Sequence, residues 1–427
     1  MSAALPSLTA DELSSRLEQY RKEYDALVAE GLKLDITRGK PAPAQLDLSG
    51  ALLDLPGLDD FKAADGTDTR NYGGLQGLAE LREIVAPYVQ VPAGQLVAAG
   101  NSSLNLMHDC VADSILHGVP GGDGDWRREE RIAFLAPAPG YDRHFAVCKG
   151  LGVELILVPM TETGPDLDEV ERLVAADPAI KGIWCVPKYS NPTGVTFSDE
   201  TVRRLATMPT AAGDFRIYWD NAYALHHLTD TPDELADLLA LADEAGNADR
   251  VFVFASTSKV TYAGAGVAFF GASPANVAWF LGNLGRKTIG YDKVNQLRHV
   301  RYLQDGAGLE ALMQRHRALL APKFEKVLEV LDDVLGDAGV AEWTRPNGGY
   351  FISLDVLDGT ASRVVRLAKE AGIALTPAGA PFPGGADPRD RNIRLSPSFP
   401  TVAELETAMR GVALCTLIAA TEKLLAA

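Results

Sequence analysis

Lys259 closes the stretch Ser256-Thr257-Ser258-Lys259, directly after the apolar run 251–255 and shortly before Ala263-Gly264-Ala265-Gly266. An amine buried beyond a strand end has a lowered pKa and becomes a nucleophile toward a carbonyl carbon. Lysines after strands are also ordinary solvated surface groups. Asp220, in Trp219-Asp220-Asn221-Ala222-Tyr223, again follows an apolar run. A carboxylate there can keep a ring nitrogen protonated, or it can simply cap a turn. Ser190-Asn191-Pro192-Thr193-Gly194 carries the Asn-Pro and Gly signals of a tight turn, and the Asn191 amide can also donate to a phenolic oxygen. Gly100-Asn101-Ser102-Ser103 precedes a helical pattern over 104–116. Small residues at a helix start leave backbone N–H groups for a phosphate, although Asn and Ser are common N-caps too. Asn392-Ile393-Arg394-Leu395-Ser396 sets a guanidinium in an apolar strand. It can clamp a carboxylate through two hydrogen bonds or serve a structural ion pair.

The surrounding pattern says what positions these groups. Runs 132–136, 155–158, 183–186, 215–219 and 251–255 are short and almost wholly apolar, as in strands covered on both faces. Arg216 is the one charge among them. Helical stretches 167–176, 199–207 and 233–245 lie between several of them, which predicts an α/β layer with a mainly parallel sheet. Functional groups collect at the carboxyl ends of such strands. A helix is expected over 9–30, capped by Thr9 with Glu12 three positions on, before Pro41-Ala42-Pro43 breaks regularity. A long helix ending near 335, a strand over 349–354 and helices over 362–371 and from 402 onward form a smaller α+β domain. The expected division is an N-terminal segment 1–50 packing with the small domain, a large domain 51–310 and the small domain 311–427. Segments 120–125 and 384–391 read as solvated loops, and there are no internal repeats.

At 427 residues the chain exceeds one compact core, and 47% apolar with 23% charged residues is a globular balance. Forty basic against fifty-seven acidic side chains give a net charge of −17, which disfavours nucleic-acid and anionic-membrane partners. Cys110, Cys148, Cys185 and Cys415 are widely spaced with no C-x-x-C pair, so neither a zinc site nor a disulfide framework is expected. The start Met1-Ser2-Ala3-Ala4-Leu5-Pro6 has no secretory pattern, and no apolar run reaches the roughly 20 residues of a membrane span. The expectation is a cytoplasmic protein with no bound metal.

In their order and spacing, Asn71-Tyr72-Gly73-Gly74, Asn191-Pro192-Thr193-Gly194, Asp220-Asn221-Ala222-Tyr223, Ser256-Thr257-Ser258-Lys259 and Arg394 resemble the fold-type I pyridoxal-phosphate (PLP) aminotransferases. The resemblance runs from about residue 35 to the C-terminus. Pro139-Gly140-Tyr141-Asp142-Arg143-His144-Phe145, Lys293-Val294-Asn295-Gln296-Leu297 and Gly348-Gly349-Tyr350-Phe351-Ile352-Ser353-Leu354 are similar to a bacterial subgroup of aspartate aminotransferases. The resemblance implies pyridoxal 5′-phosphate joined to Lys259, which also moves the substrate α-proton. It implies Asp220 at the ring nitrogen, Asn191 and Tyr223 at the phenolic oxygen, and Tyr141 stacked on the ring. Asn101, Ser102, Ser256 and Ser258 would hold the phosphate, joined by Tyr72 from the neighbouring subunit of a homodimer with shared sites. Gly39 and Asn191 would contact the substrate and Arg394 would clamp its α-carboxylate.

The chain departs from the pattern twice. Most relatives carry a phosphate-neutralising arginine about eight positions after the lysine, where Gly264-Ala265-Gly266-Val267 stands here. The stacking aromatic usually sits two residues after a proline; Pro137 is followed at that spacing by Pro139, and Tyr141 lies two after Pro139. The implied reaction is aspartate with 2-oxoglutarate, giving oxaloacetate and glutamate. An aromatic or kynurenine-type aminotransferase and a carbon–sulfur lyase are alternatives on the same scaffold. The group for a distal substrate carboxylate is open among Arg38, Lys40, Arg143 and Arg286. A PLP-binding transcriptional regulator would need a basic winged-helix segment, whereas the thirty-five or so residues before the resembling region read as one helix.

Overall fold

The computed structural model describes residues 4–427, so the first three residues of the Met1–Pro6 stretch lie outside it. Eight strands make the central sheet: β1 (Leu96–Ala98), β2 (Ala133–Ala138), β3 (Glu154–Thr161), β4 (Gly164–Pro165), β5 (Ile180–Cys185), β6 (Arg216–Asp220), β7 (Val251–Ser256) and β8 (Ala268–Ala272). Their order is β1-β8-β7-β6-β5-β2-β3-β4. The neighbours from β7 through β3 pair in parallel, while β8 is antiparallel to both β7 and β1. β1 therefore points the same way as β7, and the ends of β1, β2, β5, β6 and β7 share one edge.

The apolar runs explain this layer. Every residue of β2, β5 and β6 is buried, as expected for strands packed on both faces, but in β3 only Val158 is, so the run 155–158 is not covered on both faces as its apolar composition predicts. The helices 167–176 and 199–207 form as Leu167–Ala176 and Asp199–Thr207, capped by Asp166 and Ser198. The expected helix 233–245 starts later, as Leu238–Glu244. Asp233 is held by other partners: its carboxylate accepts from Thr196 and Asn347, and its N–H donates to the Tyr189 hydroxyl. Asp237 becomes the N-cap instead. β1 and β8 are short, at three and five residues, and no alternation announces them. In β8 a Cβ on Gly271 would meet Val91 at 2.8 Å, so that strand needs its glycine for close packing.

Helix α1 (Ala10–Ala29) carries the Thr9/Glu12 capping box, worth about 1 kcal/mol. It packs on α5 (Val402–Leu425), which also packs on the long α4 (Gly306–Leu335). Leu34–Asp35 pairs in parallel with Ile373–Ala374, and Leu5, Leu13 and Ile36 share a buried cluster with Ile352, Leu354 and Leu405. A three-stranded antiparallel sheet, β9 (Ala341–Trp343), β10 (Ile352–Val356) and β11 (Asn392–Leu395), completes this layer. The strand expected at 349–354 begins later because Gly349, at φ +84°, turns to donate its N–H to His226 O. Among the described residues, no helix is long and apolar enough to cross a membrane.

Candidate active site

A cavity of about 260 Å³ opens at the shared strand edge, lined by Gly39, Ser102, Tyr141, Asn191, Asp220, Tyr223, Ser256, Ser258, Lys259 and Phe351 among others. Lys259 reaches it from a tightly tied turn. Thr257 N–H donates to Val267 O, and the Val260 and Thr261 N–H groups donate to Thr257 O. Val267 N–H in turn donates to Thr257 Oγ1 at 2.9 Å. Two histidines hold the turn from outside. His299 Nδ1 donates to Asn295 O, which leaves Nε2 to accept from the Thr261 hydroxyl at 2.9 Å. His316 Nε2 donates to Val260 O at 2.8 Å. Lys259 Nζ lies 5.0 Å from the Tyr223 ring centroid and 5.9 Å from that of Tyr350. Burial lowers its pKa, partly offset by the nearby charge of Asp220. The result is an amine biased toward its nucleophilic form.

Asp220, at the tip of β6, is buried, and its Oδ2 lies 3.0 Å from His144 Nε2. His144 stacks on Trp184 with centroids 4.4 Å apart and meets Tyr141 edge-on. The other carboxylate oxygen, Oδ1, is buried without a partner. Such an atom is costly unless a donor arrives. Tyr141 and Tyr223 both have phenol pKa values raised by desolvation, Tyr141 to about 12. They stay neutral donors.

Asn191 sits in a turn closed by Gly194 N–H to Ser190 O. Gly194 has φ +73°, and a Cβ there would strike Pro346 at 2.5 Å, so only glycine fits. Arg394 NH1 donates to Asp142 Oδ1 at 3.0 Å and to Asn191 Oδ1 at 3.4 Å. That fixes the Asn191 amide with its N–H groups free to donate elsewhere. Arg394 is 8% exposed, lies over the Phe351 ring at 5.1 Å and has an unpartnered Nε. Phe351 also explains Gly39: a Cβ would come 2.5 Å from its ring.

Ser102 N-caps helix α2 (Ser103–His117), whose start opens on the cavity. Ser256 Oγ and Ser258 Oγ are 3.1 Å apart beside it. Asn101 stands outside the cavity, donating to Gly264 O and lining a neighbouring depression with Tyr291. Tyr72 is 82% exposed and touches none of this cluster within one chain. Among the described residues Lys259 is the only cation lining the cavity. Arg38, Arg143 and Arg286 are exposed, Arg286 donating to Asn283 Oδ1 at 2.6 Å, while Lys40 lies over the Phe399 ring at 3.9 Å.

A family model described as aspartate amino-transferase matches residues 8–427. The chain belongs to the aspartate aminotransferase family. A putative aminotransferase from Mycolicibacterium smegmatis is 56% identical over 421 residues, covering 98% of each chain. An aspartate aminotransferase from Corynebacterium glutamicum is 52% identical over 99% of this chain and 97% of its own. The crystal structure of an aspartate transaminase from Corynebacterium glutamicum superposes with a TM-score of 0.97 at 52% identity, covering 99% of this chain and 100% of that one. The protein is thus an aminotransferase with the fold-type I architecture, a family that works with PLP.

Within this family site, sequence reasoning gave no role to His144, Asp142 or Phe351. His144 had a usable signal: it lies three residues after Tyr141 at the start of helix α3 (Asp142–Gly150), where i and i+3 share a face. Gln45 had none. Its Nε2 donates to Tyr350 OH at 3.0 Å and lies 3.2 Å from His316 Nδ1, tying the segment after Gly39 to the Lys259 turn.

Proposed function

We propose that the protein transfers the amino group of L-aspartate to 2-oxoglutarate, with pyridoxal 5′-phosphate linked to Lys259. The observation that carries the cofactor assignment is the buried Asp220 Oδ1, which lacks a donor in a cavity that also holds an amine of lowered pKa. A protonated ring nitrogen fits that acceptor. The substrate pair is supported by the Corynebacterium glutamicum relative, named as an aspartate aminotransferase.

Bound there, PLP supplies an aldehyde and a protonated ring that accepts the electron pair left when the substrate α-proton departs. Asp220, oriented by His144, would hold the ring nitrogen; Asn191 and Tyr223 would donate to the phenolic oxygen. Tyr141 would stack on the ring. Ser102, Ser256, Ser258 and the start of α2 offer neutral donors to the phosphate, with Asn101 at the rim. Lys259 takes the proton from the substrate α-carbon. Gly39 lets the backbone approach the substrate, and Arg394 receives its α-carboxylate.

A homodimer with shared sites accompanies this reading. Lys293 Nζ donates to Asn71 O and Gly73 O, fixing the loop that presents Tyr72 outward. Tyr72, Leu53, Leu58 and Ile289 are 82%, 73%, 99% and 61% exposed, which supports burial against a second copy. Tyr72 of the partner subunit would then reach the phosphate. We also infer a cytoplasmic setting, supported by four free, buried cysteines.

The test is a comparison of amino donors. Aspartate with 2-oxoglutarate should exceed kynurenine and phenylalanine in kcat/KM by about tenfold or more, a difference of about 1.4 kcal/mol. Cystathionine should release no pyruvate. Preference for an aromatic donor, or pyruvate release, would transfer the assignment to the corresponding alternative.

A further inference from the structure

A second cavity, of about 470 Å³, lies outside the catalytic cavity, between the loop after β6, residues 87–90 and the start of α4. Its walls include Leu225, Leu235 and Met313, and its size suits a small organic ligand. Two charges on its walls have no ion-pair partner within 4 Å among the described residues: Lys188, which is half-buried, and Glu310, which is exposed and accepts from the Tyr88 hydroxyl at 2.9 Å. The other charged pair there is already matched, since Arg317 binds Asp230 and Thr229 O. We infer that this cavity is a binding site for a small zwitterion, an α-amino acid with an apolar side chain, its carboxylate on Lys188 and its ammonium on Glu310.

Three observations support the assignment. Burial lowers the Lys188 pKa, the sign of a desolvated cation that a carboxylate would relieve; Asp233 and Glu234 offset this only from a distance. Beside it, Tyr189 OH accepts from Asp233 N–H and lies 2.8 Å from His227 Nδ1. Burial holds His227 neutral, with a pKa lowered to about 4, so the wall carries an uncharged imidazole there. Finally, Asn221 lines both this cavity and a smaller recess of about 40 Å³ behind β7. Its Oδ1 is buried without a partner, as are both ring nitrogens of His226 in that recess. Asn221 directly follows Asp220, so the ligand would sit one residue from the catalytic floor.

The experiment is calorimetric titration of the as-purified protein with α-methyl-L-leucine, which has no α-proton to lose. Half-probes are 4-methylpentanoate, which lacks the ammonium, and 3-methylbutylamine, which lacks the carboxylate. Saturable binding of one probe per chain is expected, with each half-probe at least about tenfold weaker. Lys188→Met and Glu310→Gln should each raise Kd about tenfold or more, while their transaminase turnover stays at wild type and certifies the fold. Arg394→Lys should leave this Kd unchanged. Absence of saturable heat, or binding that survives both cavity substitutions, would overturn the inference. So would binding lost only in Arg394→Lys, which would mean the catalytic site alone, or equal affinity for 4-methylpentanoate, which would mean an anion site.

Discussion

Arg394→Lys isolates the role of one guanidinium. In the free protein its NH1 serves Asp142 and Asn191, while Nε has no partner in a site only 8% exposed. A substrate α-carboxylate arriving there would meet two donors in a plane. Lysine keeps the charge and can keep the Asp142 ion pair, but it presents a single nitrogen. One charge-assisted hydrogen bond is lost, worth roughly 1.5–3 kcal/mol, or about a ten- to 150-fold fall in kcat/KM. Because every amino acid carries the same α-carboxylate, aspartate, glutamate and alanine should fall by the same factor. The assay is steady-state kcat/KM for all three donors in both proteins, with thermal unfolding as the control for structure. An aspartate-to-alanine ratio changed by about tenfold or more would refute the reasoning and move Arg394 to the distal carboxylate. The same ratio measured in Arg38, Lys40, Arg143 and Arg286 variants locates the true distal group, whose loss should harm aspartate and spare alanine.

Lys259→Ala should purify without visible cofactor absorbance, and borohydride should fix no cofactor to it; wild-type turnover would remove Lys259 from the chemistry. Asp220→Ala should lose on the order of 10²-fold in kcat with circular dichroism intact, and full activity would reduce Asp220 to a turn cap. His144→Phe keeps an aromatic ring against Trp184 but deletes the bond to Asp220; kcat should fall roughly tenfold with KM little changed, as expected for about 1.4 kcal/mol of lost orientation. An unchanged kcat would show that Asp220 orients itself. Mixing Tyr72→Phe chains with Lys259→Ala chains should regenerate one intact site per hybrid dimer if sites are shared. No regained activity on mixing would argue for sites contained in single chains.

What the sequence made legible follows from how each feature is encoded. Strands buried on both faces leave contiguous apolar runs, which makes β2, β5, β6 and β7 legible in the sequence, whereas the run at 155–158 in β3 is only partly covered, with Val158 its one buried residue. Helix starts are written in single side chains, as with Thr9 and Glu12. β1 escapes because three residues, Leu96-Val97-Ala98, are too short a run to stand out, and β8 because Gly271 interrupts its five. Their pairing is decided by what already lies beside them. The helix expected over 233–245 begins only at Leu238 for a related reason. Its composition favours a helix, but tertiary partners captured Asp233 and moved the cap to Asp237.

The site divides along the same line. Asp220, Asn191, Ser256 and Lys259 come from strand ends or the turns just beyond them, and a parallel sheet brings such ends to one edge whatever their separation along the chain. Residues that act through other residues have no such address. His144 reaches Asp220 across 76 positions, its one local cue being the spacing to Tyr141, and Gln45 reaches Tyr350 across 305 with no cue at all. Burial is what turns those contacts into constraints, because an unpaired polar atom inside the protein costs free energy that the same atom in water does not. The sequence therefore announces the groups that a fold delivers by topology, and the structure is needed for those it delivers by packing.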